Sequence, residues 1–179
     1  SVPLTVQTTG SLIAGKAIAS ILINNASTYA ITIYGEKSDI DAIASVPVTI
    51  NVDGLGKESS KTYNVTLTKP SGVRYMSTKS VAVAVTFGNE EQKTINIGNK
   101  ISQKNLSSGL TANIISSDAI SVQVKGVASV INDITAEKIN AYVDLDGLTA
   151  GEHEVEVKID NDNPLVTYVV SSTIKINIQ

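Results

Sequence analysis

The stretch Ile31–Leu55, with the sequence ITIYGEKSDIDAIASVPVTINVDGL, contains the local signals that decide the fold of this chain. Alternating apolar and polar residues at its start predict a half-buried β-strand, and Gly35 then predicts a corner. Ser38–Asp41 resembles a helix-capping box with Asp in place of Glu, which predicts one short helical turn. A second alternating segment follows and ends at the turn Asp53-Gly54, so a second strand is predicted there.

A looser copy of this stretch runs from Val122 to Leu148. Leu4–Gly35 aligns with Ile95–Gly126 without a gap at an offset of 91 residues, and the offset is 93 at the Asp-Gly turns. A repeat at a nearly constant offset indicates tandem modules. We predict modules at residues 1–90 and 91–179, joined by a short linker near Asn89–Gln92. The shared positions are predicted to be structural: Gly35, Asp53, Gly54, Leu55, Gly126, Asp146, Gly147 and Leu148.

The rest of the chain favours strands. Val, Ile and Thr are abundant, and β-branched side chains fit a pleated sheet better than a helix. Period-2 alternation recurs in each copy, whereas helical spacing is confined to Ile40 and Ile43 in the first and Ile131 and Ile134 in the second. We therefore predict a mainly β protein with one short helical turn per module and an elongated arrangement of two modules.

Composition excludes several functional classes. There is no cysteine, so disulfides, thiolate chemistry and cysteine–zinc sites are excluded. The net charge is −3, which argues against nucleic-acid binding. No run of five like charges occurs, so no polybasic membrane patch or acidic tail is predicted. No segment has the roughly 20 apolar residues of a membrane span. The chain opens in a strand-like pattern, Val2–Val6, so we expect it to be part of a longer protein.

Two loops resemble ligand-binding motifs. Gly10–Ala17 nearly matches a phosphate-binding loop, but Ala17 stands where the motif requires Ser or Thr, and a strand-like sequence follows. Asp160–Pro164 has the closely spaced oxygens that suit calcium, with Asp160 and Asp162 as candidate ligands. The alternatives are a glycine-bearing loop and a polar hairpin tip, and we assign no metal or cofactor to either.

The remaining chemical candidates are few. His153 is the single histidine and shares a strand face with Val155, which favours a structural position over catalysis. Asp144 and Asp146 share a face, yet turn capping explains them more simply than acid–base chemistry. Tyrosines can serve as contact residues, but core positions are the default for the four considered: Tyr29, Tyr34, Tyr75 and Tyr168. No residue is assigned to catalysis, and none to partner binding.

As a set, these segments resemble YbbR domains. The resemblance rests on Ile31–Ser38, Val52–Leu55, Val65–Val73 and Val81–Val85 in the first copy, whereas the second keeps fewer of these features. It implies a membrane-anchored bacterial protein with one N-terminal span and tandem modules outside the cytoplasmic membrane. Family motifs of this kind are structural, so the resemblance transfers no catalytic residue and implies a protein that is not an enzyme.

The resemblance also implies a partner. The best-known YbbR-domain proteins regulate the membrane-bound diadenylate cyclase that makes cyclic di-AMP, so that cyclase is the expected partner of the full-length protein. A cell-wall or surface ligand is a further expectation, and the chain itself is expected to be a soluble fragment on the extracytoplasmic side. The alternative function is a β-rich cell-surface adhesin or wall-binding module.

Overall fold

The computed structural model describes residues 1–116 and 119–179 of the chain. Strands account for 53% of the chain and helix for 7%, which confirms the predicted mainly β class. The chain divides into two compact units, Ser1–Glu90 and Glu91–Gln179. Residues 117 and 118, inside the copied segment Ile95–Gly126, lie outside the described residues.

Unit 1 contains eight strands and one short helix. In chain order they are β1 (Val2–Thr9), β2 (Lys16–Ile23), β3 (Ala30–Ile31), β4 (Ile33–Gly35), α1 (Lys37–Asp41), β5 (Val46–Asn51), β6 (Ser60–Thr66), β7 (Val73–Met76) and β8 (Ser80–Asn89). Strand β1 pairs antiparallel with β3 through Val2 and Ile31, and then parallel with β5. Strands β2 and β6 flank β8 in an antiparallel sheet, and β4 pairs with β7.

Unit 2 repeats this topology with more strands. They are β9 (Glu91–Gly98), β10 (Ser102–Lys104), β11 (Ala112–Ile114), β12 (Ile120–Gly126), α2 (Ala128–Ile131), β13 (Asn140–Asp144), β14 (Gly151–Glu156), β15 (Lys158–Asp160), β16 (Thr167–Val169) and β17 (Thr173–Ile178). Strand β12 lies between β9 and β16, β13 between β10 and β15, and β17 between β11 and β14.

Each unit is built on alternating apolar residues. In β5 the pattern buries Val46, Val48 and Ile50 and leaves the residues between them exposed. The central strand β17 buries Ile174, Ile176 and Ile178 in the same way. Within the described ranges no polar side chain is buried. Because burial is confined to apolar groups, hydrophobic burial and backbone pairing hold each unit together.

The gap-free alignment of the first strands is wrong. Val2 pairs with Ile31, whereas Ile95 pairs with Val122, the counterpart of Ile31, so Ile95 takes the place of Val2 rather than Leu4. Strand β1 is continuous through both of its pairings, whereas the equivalent strand is divided into β9 and β10 by the segment 99–101.

The helical predictions are partly corrected. Helix α1 has Glu36 as its N-cap, with no side-chain cap, so the capping box predicted at Ser38–Asp41 is wrong. Extended residues lead directly from the strand into the helix and place Ser38 inside its first turn. Unit 2 also has a 3₁₀ turn at Ala136–Lys138, which helical spacing did not reveal.

One residue, Glu90, separates β8 from β9. The predicted linker therefore reduces to a single residue between two strands. No helix in the described part of the chain has the length and hydrophobicity that a membrane crossing requires.

Candidate functional site

The glycine corners are places of close packing. A Cβ at Gly35 would lie 2.5 Å from the carbonyl oxygen of Gly72 and 3.0 Å from a methyl group of Ile40. At Gly126 it would lie 2.9 Å from the carbonyl oxygen of Leu165. Neither glycine has a positive φ. Glycine is therefore required because the backbone just before the paired strand, β7 or β16, leaves no room for a side chain, not because of an unusual backbone conformation.

The two acidic turns have the same internal bonds. Asn51 Oδ1 accepts a hydrogen bond from the Asp53 N–H at 2.9 Å, and Asp144 Oδ1 accepts one from the Asp146 N–H at 3.2 Å. Asp144 also accepts from Asn105 Nδ2 at 2.8 Å. The hydrogen bond from Asn105, followed by that from the Asp146 N–H, holds the pKa of Asp144 below its usual value. Asp144 thus caps a turn as a carboxylate rather than acting as a proton donor.

Each of these turns depends on a glycine in a left-handed conformation. Gly54 has φ +68° and Gly147 has φ +72°. The following leucine N–H groups, of Leu55 and Leu148, donate to the carbonyl three residues earlier at 3.1 and 3.2 Å. This is the geometry of a β-turn that requires glycine at its third position.

The loop that resembles a phosphate-binding motif leads into a strand. Lys16 is the first residue of β2, and its Nζ donates to Asn89 Oδ1 at 2.8 Å. A phosphate-binding loop presents its backbone amides at a helix N-terminus. Because a strand follows here, the loop cannot present its amides in that way.

The polar side chains of the turn after β15 form hydrogen bonds with nearby protein groups. Lys104 Nζ lies 2.5 Å from Asp160 Oδ2, and this hydrogen bond raises the pKa of Lys104. Asn161 Oδ1 accepts from the Asn163 N–H and Asn163 Oδ1 accepts from the Leu165 N–H, each at 3.0 Å. These bonds use the oxygens of Asp160, Asn161 and Asn163 to shape the turn, which favours a polar turn over a calcium site. The turn is not a hairpin tip, because β15 pairs with β13 whereas β16 pairs with β12.

Other titratable groups are dispersed. Asp162 is exposed at the tip of the same turn. His153 Nε2 lies 2.7 Å from the carbonyl oxygen of Thr149, and its counterpart Tyr63 donates through its hydroxyl to the carbonyl oxygen of Asn51. Among residues 1–116 and 119–179, no group of three or more His, Asp or Glu side chains is arranged to hold a metal ion.

Unit 1 presents an exposed aromatic pair instead. Tyr34 and Tyr75 face each other across β4 and β7, and their ring centroids lie 5.7 Å apart with the planes tilted by 52°. The side chains remain 58% and 56% exposed, so the default prediction of core positions is wrong for both. Tyr29 and Tyr168 are half-buried.

A groove of about 360 Å³ adjoins Tyr75. Beside it, Arg74 Nη2 lies 2.5 Å from Glu36 Oε1. We call Tyr34 together with the groove residues the tyrosine surface; the groove is lined by Leu67, Lys69, Arg74, Tyr75, Met76 and Lys79. Sequence reasoning missed the three basic residues. A signal was available for the exposure of Tyr34. The second copy has Lys125 at this position, and a position that accepts lysine is normally exposed.

Unit 2 has a different concave region. A cleft of about 490 Å³ lies where the divided first strand meets the 3₁₀ turn, and its lining includes Asn99, Ser102 and Asn140. Lys100 and Glu137, which also line it, approach to 3.7 Å. The continuous strand β1 leaves no equivalent break in unit 1.

A comparison with protein families finds the same family model in both units. The family model described as YbbR-like protein matches residues 2–85 and 99–178, which is most of both units. The chain belongs to the YbbR-like family. The two matches confirm the tandem repeat predicted from the sequence.

The chain is similar to the CdaA regulatory protein CdaR of Bacillus subtilis, with 29% identity over 163 residues. The match covers 89% of this chain but 32% of CdaR. The chain therefore spans about a third of the length of that relative.

Solved structures of YbbR-like proteins are also similar. A domain from Listeria monocytogenes has 19% identity and a TM-score of 0.42, covering 50% of this chain and 93% of that domain. A protein from Streptococcus pneumoniae has 14% identity and a TM-score of 0.35, covering 99% of this chain and 90% of its own.

Proposed function

We propose that this chain is the extracytoplasmic region of a membrane-anchored regulator that modulates a membrane diadenylate cyclase and thereby the level of cyclic di-AMP. The observation that carries the proposal is the identity to CdaR, whose name describes it as a regulatory protein of CdaA. The match extends across both units rather than one short motif. The full-length protein, and not this region alone, would contact the cyclase.

The region acts without catalysis in this proposal. Its acidic turns and its histidine are engaged in backbone hydrogen bonds, which supports a binding and positioning role. A regulator changes the activity of a partner only if it binds two states of that partner with different affinity. The units would therefore bias the cyclase through the anchor that joins them to the membrane.

The test is an in-frame deletion of the codons for residues 1–179 from the chromosomal gene, with the remainder of the protein retained. We expect cellular cyclic di-AMP, measured by mass spectrometry, to change relative to the parent strain during growth and after osmotic or cell-wall stress. Immunoblotting of the truncated protein in membranes and restoration of the gene provide the controls. An unchanged level under all of these conditions would contradict the proposal. Lost binding to purified cell walls in that case would support the wall-binding alternative.

A further inference from the structure

The tyrosine surface exposes apolar groups that the fold does not require. In the described ranges four large apolar side chains are strongly exposed, and two of them, Tyr34 and Tyr75, are direct cross-strand neighbours. Paired exposed aromatic rings offer a large rigid contact area at low entropic cost and are common at the centres of interfaces. The pair therefore marks a contact surface.

Unit 2 shows that this pair is dispensable for folding. The position of Tyr34 corresponds to Lys125, which pairs with Thr167 across the equivalent strands β12 and β16. The same frame therefore forms with a lysine and a threonine in place of two tyrosines. Contact with another molecule explains the two tyrosines better than packing within the unit does.

The charge beside the rings selects the partner. Lys69, Arg74 and Lys79 line the groove, whose lining includes no acidic residue, and Arg74 is paired with Glu36 beside it. In the described part of the chain, neither lysine forms an ion pair. Groups of one sign around a concave surface attract a partner of the opposite sign. The partner is therefore anionic.

The floor of the groove distinguishes between anionic partners. Leu67 and Met76 are both 7% exposed and form an apolar base. The six lining residues include no carboxylate or amide side chain, so the groove offers few acceptors to the hydroxyl groups of a glycan. An apolar floor inside a basic rim matches a polypeptide in which Asp or Glu flank a large apolar residue.

We propose that the tyrosine surface binds an acidic polypeptide segment of a partner protein. Carboxylates of the segment pair with Lys69 and Lys79, and its apolar side chain lies against Tyr75 above the floor of the groove. This inference concerns unit 1 alone. It holds whether or not the full-length protein regulates a cyclase.

The test uses the whole 179-residue chain and the synthetic peptide Glu-Glu-Asp-Leu-Phe-Asp-Glu-Glu as a probe. We expect amide shifts in ¹⁵N–¹H spectra to be concentrated at the residues of the tyrosine surface. A peptide with Gly-Ser in place of Leu-Phe tests the apolar contact. A peptide with Lys and Asn in place of Glu and Asp tests the charge. Each control peptide is expected to bind about tenfold more weakly or worse.

Matched variants distinguish binding at the tyrosine surface from non-specific electrostatic attraction. The double substitution Tyr34→Gln with Tyr75→Thr removes both rings without adding a positive charge. Because unit 2 carries polar residues at both positions, we expect this variant to fold and to lose about tenfold in affinity. Lys79→Glu should weaken binding by a similar factor, whereas Lys57→Glu, which makes the same change of charge at an exposed position outside the groove, should leave affinity unchanged.

Several results would overturn the proposal. They are shifts spread evenly over the chain, equal weakening by Lys57→Glu and Lys79→Glu, or no binding at millimolar peptide. Heparin supplies an anionic glycan without apolar side chains. If heparin competes for the same residues with equal affinity, the partner is a polyanion and the assignment to a polypeptide fails.

Discussion

The two units share a frame and differ at its edges. Both place a glycine at the corner before a short helix, and both close the next strand with an Asp-Gly turn. Unit 2 divides its first strand and adds β15 beside β13. In unit 1 the equivalent pairing is disfavoured because Pro47 and Pro70 supply no N–H to a ladder. Packing thus constrains the glycine corners and the Asp-Gly turns that the units share. The strands at the sheet edges differ between the units and can serve separate roles.

Charge separates the units further. Residues 1–90 contain seven Lys or Arg and six Asp or Glu, whereas residues 91–179 contain seven and eleven. The tyrosine surface lies in the first unit, and unit 2 has a lysine and a threonine at the positions of its aromatic pair. Two copies of one fold therefore present different chemistry, which suits them to different partners.

The largest expected effect comes from filling the glycine corners. We expect Gly35→Ala to lower the free energy of unfolding by about 2–3 kcal/mol, because the new methyl group overlaps a backbone carbonyl that cannot move alone. Gly126→Ala should cost less, since its closest contacts are 2.9 rather than 2.5 Å. Denaturant unfolding, with amide hydrogen exchange to report on each unit separately, measures both. Equal costs, or a larger cost at Gly126, would contradict the steric explanation.

A smaller and equal effect is expected at the Asp-Gly turns. Gly54→Ala and Gly147→Ala place a Cβ in open space, so only the strain of a positive φ remains, at about 1 kcal/mol each. The same unfolding measurements apply. Asparagine tolerates this conformation better than alanine, so Gly54→Asn and Gly147→Asn should recover part of the loss. Unequal losses in the two units would show that the turns are not equivalent.

The smallest effect concerns pH. The lowered pKa of Asp144 means that its carboxylate stabilises unit 2 above the unfolded value of about 3.9, and that this contribution is lost as pH falls through the folded pKa. Asp144→Asn, which resembles Asn51 of unit 1, should therefore be slightly less stable than the natural chain at pH 7. The difference should vanish at acidic pH.

Thermal unfolding from pH 7 to pH 2 measures this difference. The control is Asp162→Asn, which removes the same formal charge from an exposed turn. It leaves the hydrogen bonds from Asn105 and the Asp146 N–H to Asp144 in place. A stability difference for Asp144→Asn that stays constant with pH would rule out the carboxylate as its cause.

Parts of the fold followed from the sequence. The repeat exposed the tandem organisation, and the shared Gly35 and Asp53-Gly54 identified the frame before any contact was known. The alignment failed along the first strand because an alternating pattern matches itself equally well after a shift of two residues. The capping box at Ser38 failed because the chain enters α1 directly from an extended segment.

The candidate surface was the least predictable part. Tyr34 and Tyr75 are 41 positions apart, and only the pairing of β4 with β7 brings their rings together. Leu67 and Lys79 reach the same groove from other segments. A strand pattern shows which residues share a face, but not which strand lies beside it or whether anything covers that face.

The sequence by itself determined that this protein is a tandem pair of β-rich YbbR-like units in which corner and turn residues recur in the same order. Local chemistry is sufficient for that, since alternation, glycine and Asp-Gly act within a few residues. Only the tertiary structure decided that Gly35 is needed for space, that Asn105 donates a hydrogen bond to Asp144, and that two tyrosines stand exposed beside a basic groove. Those properties arise from contacts between distant segments, which local patterns do not encode.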